Sequence, residues 1–383
     1  MHPVLATKPD KQGNRRSAPV KVAYVVPPSD HFAGMERVTH ELAGELAAQA
    51  DVPLDVTVIY FSNYEEVRDA SYKVVMARGA RVRDVPHALH RILRHQDFDV
   101  VVIPQFENAV LSLLYNRARG RRDRIVLHLH GNPDIERRIS LKSRAVFLLY
   151  AHAMRWFAGI IAVSPGLARS ATASFHGKVR ADYLPNPVRQ IDASISTLKD
   201  GATGDPWRFV SVGRLAHQKG HDIAIRAFRQ VVNIYPQATL AIVGEGSERA
   251  ALQGLIDTLG LESNVILKGM ISDPSIELAV AGAFVSASRW EGFGVAIVEA
   301  LSAGLFVIAT RCDFGPEDII TAPELGVLVA PEDPDALAAA MILHLSQPVV
   351  STSQPRIAHA ARFARDAVVA QHAHYLARFK AAR

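Results

Sequence analysis

Short apolar runs recur along most of this chain, separated by stretches whose apolar residues return every three or four positions. The runs read as buried strands and the intervening stretches as amphipathic helices, an alternation that predicts parallel sheets of the α/β type. In the first half the strand candidates are VKVAYVV (20–26), LDVTVIY (54–60), DVVVI (99–103), RIVLHLH (124–130), GIIAVS (159–164) and ADYL (181–184). A helix, GMERVTHELAGELAAQ (34–49), follows the first of these, with Val38, Leu42 and Leu46 on one face. A polar stretch rich in small residues, QIDASISTLKDGATGDP (190–206), then interrupts the pattern as an interdomain linker does. The alternation resumes with RFVSVG (208–213), TLAIVG (239–244), NVILKG (264–269), AFVSAS (283–288), LFVIAT (305–310) and GVLVA (326–330). The expected organisation is a loose basic tail (1–18), a first Rossmann-like domain (19–190), a linker (191–206), a second Rossmann-like domain (207–356) and a last helix within 357–383. Two doubly wound sheets facing a cleft bind ligands at the carboxyl ends of their strands.

A length of 383 residues favours two domains over a single core. The single cysteine, Cys312, excludes an internal disulfide framework and fits a reducing cytoplasm. No apolar run reaches the ~18 residues of a spanning helix. Charge is uneven: residues 1–190 carry 27 Lys and Arg against 18 Asp and Glu, whereas the remainder is net acidic. A basic half suits an acidic partner. Basic residues gather at Arg117, Arg119, Arg121, Arg122 and Arg124, and again at Arg137, Arg138, Lys142 and Arg144. The second group leads into AVFLLYAHAMRWFAGI, which reads either as a helix lying on an anionic membrane surface or as a buried helix after a basic turn. No nucleic-acid-binding motif accompanies the charge, so no nucleic-acid partner is expected.

The densest chemistry lies in Glu291-Gly-Phe-Gly-Val-Ala-Ile-Val-Glu299. Two glycines allow backbone amides to approach phosphate oxygens, and a helix starting near Gly294 offers its positive end to a diphosphate. The flanking acids suit hydroxyl groups on either side of that diphosphate, with Glu299 ~7.5 Å along the helix axis. Arg214 and Lys219 follow the strand RFVSVG and can hold a diphosphate between a planar fork and a point charge. They can also neutralise charge growing on a departing nucleoside diphosphate, and no metal is expected. His128 and His130 alternate with leucines and share one strand face. His130 should emerge into the cleft as a hydrogen-bonding group, whereas His128 reads as a core residue. Gly34 opens a helix across the same cleft. Asp97 and Asp99 have the spacing of a metal-binding pair but precede a strand, where capping is the simpler role. The chain has no early G-x-G-x-x-G, which argues against a hydride-transfer enzyme.

SVGRLAHQKG, AIVGEGSER, SASRWEGFGVAIVEALSAG, FGPEDII and GVLVAPED, in that order over about 208–335, resemble retaining glycosyltransferases of family 4, with the GT-B fold. The first half is similar more loosely, through AGMERVTHELA, LHLHG, AVSPGL and LPNPV. The resemblance implies that Arg214 and Lys219 bind the diphosphate of a nucleotide-sugar donor and that Glu299 holds its ribose. It implies that Glu291 contacts the transferred sugar, aided by backbone amides around Phe293, Gly294 and Val295. His130 is implied near the sugar's C6 side, Gly34 near the phosphates and acceptor, and Met270 in the loop that reads the base. It further implies hexosyl transfer from a nucleotide sugar, UDP preferred over GDP, without a cofactor, and a last helix that crosses back onto the first domain; the basic first half, with the look of Asn186-Pro187 and GPEDII, suggests a lipid-linked or polysaccharide acceptor. Ala33 stands where a second glycine is common, and Pro187 follows Asn186 where glycine is frequent. The alternatives are a sugar-nucleotide epimerase or a glycoside phosphorylase on the same fold, or a non-catalytic nucleotide-binding or membrane-surface partner protein.

Overall fold

The computed structural model describes residues 18–29, 32, 34–79, 81–132, 153–174, 179–191, 204–347 and 353–380. The N-terminal tail, Ala33, the second basic group, the first half of the apolar stretch after it (145–152), and most of the expected linker lie outside these residues.

The first sheet contains β1 (Val20–Val26), β2 (Leu54–Tyr60), β3 (Lys73–Met76), β4 (Val100–Pro104), β5 (Ile125–Leu129), β6 (Gly159–Ala162) and β7 (Asp182–Tyr183). Its order is β3-β2-β1-β4-β5-β6-β7, all parallel. The second contains β8 (Asp205–Val212), β9 (Thr239–Val243), β10 (Val265–Gly269), β11 (Ala281–Ser286), β12 (Phe306–Thr310) and β13 (Gly326–Val329). Its order is β10-β9-β8-β11-β12-β13, again all parallel. Central strands are apolar on both faces because helices cover both, which is why they read as continuous runs rather than as alternations. In β1, every residue except Lys21 is buried. Strand order reverses between β1 and β4 and between β8 and β11, and each reversal opens a crevice at the strands' carboxyl ends.

The structure corrects four expectations. β3 was not anticipated: it is a four-residue edge strand, mostly exposed, and too short and polar on its flanks to stand out as an apolar run. β8 begins at Asp205, inside the expected linker. Val38 does not join Leu42 and Leu46 in the core but lines the interdomain cleft, and Thr39 and Ala43 take its place. The last helix is two: Gln354–Ala360 and Arg365–Ala377, separated by a 3-10 turn and an extended Ala364. At that break the Val188 amide donates to Phe363 O (3.0 Å), a bond an unbroken helix would forbid.

The helix Arg365–Ala377 crosses back onto the first domain. It buries Val369, Ala373, Tyr375 and Leu376 with the β1, β2 and β4 side chains, each large aliphatic side chain contributing ~2 kcal/mol of transfer free energy. Arg365 pairs with Glu45 (3.1 Å), Arg378 pairs with Asp182, and the guanidinium of Arg124 donates to Phe379 O (2.6 Å). The first basic group is thus partly spent internally: Arg121 is forked onto Asp123, and Arg119 stacks on Tyr115. Asp99 accepts from the Lys21 amide (2.8 Å), the structural role its position suggested. Among the described residues no helix is long and apolar enough to cross a membrane.

Candidate active site

The carboxyl ends of β1, β5, β8 and β11 open onto one cleft between the domains, with a volume of about 350 Å³. Nine of the ten residues expected at the site line it: Gly34, His130, Arg214, Lys219, Glu291, Phe293, Gly294, Val295 and Glu299. Met270 does not. It is 72% exposed on the loop after β10, outside that cleft.

Each position follows from the local fold. Arg214 and Lys219 leave β8 through a 3-10 turn (His217–Lys219) that hands the chain to the helix His221–Ile234. Glu291 leaves β11 in a loop held against Asp313 and Phe314, donating its amide to Asp313 O (2.6 Å) and accepting the Phe314 amide (2.9 Å). Gly294, at φ +101°, turns that loop into the helix Val295–Ser302, a conformation that costs a side-chain-bearing residue. No side chain caps this helix start, and Gly294, Val295 and Ala296 line the cleft. Gly34 caps the helix Met35–Ala48 across the cleft at φ +58°, and a Cβ there would meet nothing within 4 Å.

Lys219 and Glu291 form a direct ion pair, Nζ to Oε1 2.6 Å, with side chains only 21% and 9% exposed. The Ser288 hydroxyl donates to the same oxygen (2.7 Å), and Thr310 in turn donates to Ser288 O (2.5 Å). Arg214 donates to the Gln218 side-chain oxygen (3.2 Å), whose amide nitrogen donates to Trp290 O (3.0 Å). Two segments far apart in sequence are thereby laced together beneath the cationic side chains. Ser288 and Gln218 escaped the sequence reading, although a serine three residues before an acid is a recognisable local hydrogen-bonding pattern.

His128 and His130 share a face as expected, their rings 4.1 Å apart, and His372 from the crossover helix adds a third ring 5.9 Å from His128. Burial, then the neighbouring His372, lowers His130 to about 4, so it stands neutral at ordinary pH. Its Nε2 is buried and has no hydrogen-bond partner among the described residues. His372 is fixed by its Nε2 contact with Pro185 O (3.0 Å).

Burial pushes Glu299 up to about 7, against the pull of Arg37 from across the cleft. Its folded pKa lies above the ordinary value of 4.5, so ionising it opposes folding. That cost is absent below about 4.5, grows as pH rises, and is complete above about 7. Glu299→Gln should therefore raise the melting temperature at about pH 8 and leave it nearly unchanged at about pH 4. An equal shift at both pH values would contradict the burial argument.

Two parallel-sheet domains meeting at such a cleft define the GT-B class. Solved structures share the arrangement: the Anabaena protein HepE in complex with UDP and glucose (TM-score 0.73, 21% identity, 93% of this chain and 99% of that one). Sucrose-phosphate synthase of Thermosynechococcus elongatus shares it too (TM-score 0.76, 18% identity, 93% and 98%). Residues 32–189 match the family described as Glycosyltransferase Family 4, and residues 197–363 match Glycosyl transferases group 1. The two matches together span most of the chain, which belongs to the group 1/family 4 glycosyltransferases. It is 31% identical to an uncharacterised glycosyltransferase of Methanocaldococcus jannaschii over 245 residues, 62% of this chain and 58% of that one. It is also 31% identical to the poly(glycerol-phosphate) alpha-glucosyltransferase of Bacillus subtilis over 152 residues, 40% of this chain and 23% of that one. The chain thus spans less than two thirds of the length of these relatives.

Proposed function

We propose that this protein transfers a hexosyl unit from a nucleotide sugar to a hydroxyl of a lipid-linked or saccharide acceptor, with retention at the anomeric carbon and without a metal. The observation that carries the reading is the convergence of Arg214, Lys219, Glu291 and Glu299 on one interdomain cleft beside an uncapped helix start. The diphosphate lies between the two cations and the amides of Phe293, Gly294 and Val295; Glu299 accepts from the ribose hydroxyls and Glu291 from those of the sugar. His130, neutral, hydrogen-bonds a sugar hydroxyl. The base occupies the loop around Met270, next to the carboxyl end of β10. UDP is favoured over GDP because a structure of the same fold holds UDP and glucose. A lipid-linked or glycan acceptor is favoured because similar chains include a Campylobacter jejuni transferase acting on a diphospho-undecaprenol and a Rhizobium leguminosarum lipopolysaccharide core mannosyltransferase.

Retention follows a front-face path. The bond from the anomeric carbon to the β-phosphate oxygen breaks, the acceptor oxygen bonds to that carbon on the same face, and the acceptor proton passes to the departing phosphate oxygen. Charge grows on the leaving diphosphate, where Arg214, Lys219 and the helix amides stabilise it, the work a metal performs elsewhere. Lys219 already has a partner in Glu291, so donor binding redirects a positioned ammonium instead of ordering a free one.

The test is a thermal-shift screen of UDP, GDP and their common sugars, followed by incubation of the stabilising donor with glycosyl-lipid and oligosaccharide acceptors. Proton NMR of the product is expected to show the donor's anomeric configuration kept. Free sugar phosphate or an epimerised donor as the main product would overturn transfer, and indifference to every nucleoside diphosphate would overturn the site.

A further inference from the structure

Arg289 stands two residues before Glu291 and carries a positive charge beside a cleft that accepts a diphosphate, yet every donor it has is already engaged. Its Nη1 donates to His217 O (2.7 Å) and to Asp222 Oδ1 (2.9 Å), and its Nη2 to Asp222 Oδ2 (2.8 Å) and Glu332 Oε2 (3.3 Å). Its Nε donates to Glu332 Oε1, which accounts for all five N–H groups. The side chain is 10% exposed. Its own amide donates to Gln218 O (2.8 Å). The guanidinium is therefore closed to phosphate.

What it joins is the 3-10 turn His217–Lys219, the first turn of the helix beginning at His221, and the loop beyond β13. Neither 217–219 nor 289–291 lies within a strand or a long helix. Besides Lys219 to Glu291, the bonds lacing them are Arg289 to His217 O and Gln218 O and the Gln218 side chain to Trp290 O. We propose that Arg289 is a positioning residue: it fixes the turn carrying Lys219 at the separation from Glu291 that the donor's diphosphate requires, without touching the donor. This rests on the donor-binding role assigned above to Lys219. Lysine cannot substitute, because a single ammonium has three donors and no planar fork to span two carboxylates and a carbonyl.

The experiment has two arms. Trp290 lies between Arg289 and Glu291, with its ring 6.1 Å from that of His217, whereas Trp156 and Trp207 lie elsewhere. In ligand-free protein labelled with 15N-tryptophan, Arg289→Lys should shift or broaden the Trp290 indole resonance and leave that of Trp207 in place. An unmoved Trp290 signal would overturn the proposal whatever the protein binds. If Arg289→Lys does not fold, Asp222→Asn, which weakens the same fork, should move the same resonance, and an unmoved signal there overturns it equally. In the second arm UDP and GDP are titrated calorimetrically into wild type, Lys219→Ala, Arg289→Lys and the double variant. Arg289→Lys should weaken nucleotide binding about tenfold in wild type and by less than about twofold when Lys219 is absent, because coupled residues are non-additive. Equal losses in both backgrounds would overturn the positioning role while leaving the cleft's function intact. A wild-type protein that binds neither nucleotide would instead overturn the function, with the Trp290 resonance still deciding the role of Arg289.

Discussion

Replacing Lys219 by alanine is expected to lower sugar transfer by ~10²–10³-fold, the range found when one preorganised electrostatic donor is removed from a transition state. The ammonium is 2.6 Å from Glu291 and largely screened from solvent, so its charge is little attenuated by water. It pairs with Glu291; under the proposed function it would face the donor's diphosphate, whose charge rises as the bond to the sugar breaks. The loss should fall mainly on kcat, since charge stabilisation is greater in the transition state than in the bound donor. Glu291 also loses its ion-pair partner in the variant and keeps only the Ser288 hydroxyl, so some thermal stability should go too. Lys219→Arg separates the two effects: it preserves a cation beside Glu291 and should recover stability more fully than rate, because its charge is spread over a plane. Steady-state kinetics with calorimetric melting checks both. Transfer by Lys219→Ala at the wild-type rate would remove the diphosphate role.

Much of this site can be read from the chain because its residues follow strand ends. A strand buried on both faces announces itself as an apolar run, and the residues just beyond its carboxyl end fall at the cleft by topology. Arg214, Lys219 and His130 are legible in that way, whereas Glu291 stands out through the two glycines and the second acid around its helix start. What the sequence hides depends on contacts between distant segments. Ser288 and Gln218 look like ordinary polar loop residues until Glu291 and Trp290 are brought beside them. Arg289 reads as one more cation until Asp222 and Glu332 are seen to consume it. The break at Ala364 has no proline or glycine to mark it; a backbone bond from Val188 of the first domain imposes it. β3 is hidden for the opposite reason, since a short exposed edge strand buries too little to leave a pattern.

Gly292→Ala should abolish most transfer while sparing nucleotide affinity, and it tests the cleft as a closing device. A Cβ at Gly292 would lie 1.8 Å from the carbonyl oxygen of His130, which belongs to the other domain. The obstacle is backbone on the far wall of the cleft, so no side-chain rotation relieves it. Gly292 does not need a left-handed conformation, which leaves this clash as the main consequence of the added methyl. The second domain, carrying Arg214, Lys219 and Glu299, should fold and bind UDP or GDP much as before. The domains should be unable to approach closely enough to bring His130 over the sugar or to exclude water. The expected signature is a fall of ~10²-fold in kcat, the scale on which a displacement of about 1 Å acts. The dissociation constant for the nucleotide should change little, and any donor consumed should be diverted in greater proportion to hydrolysis. Small-angle scattering with nucleotide bound should show a larger radius of gyration than for wild type. A variant that transfers sugar normally would mean that this approach of Gly292 to His130 is not part of the reacting geometry.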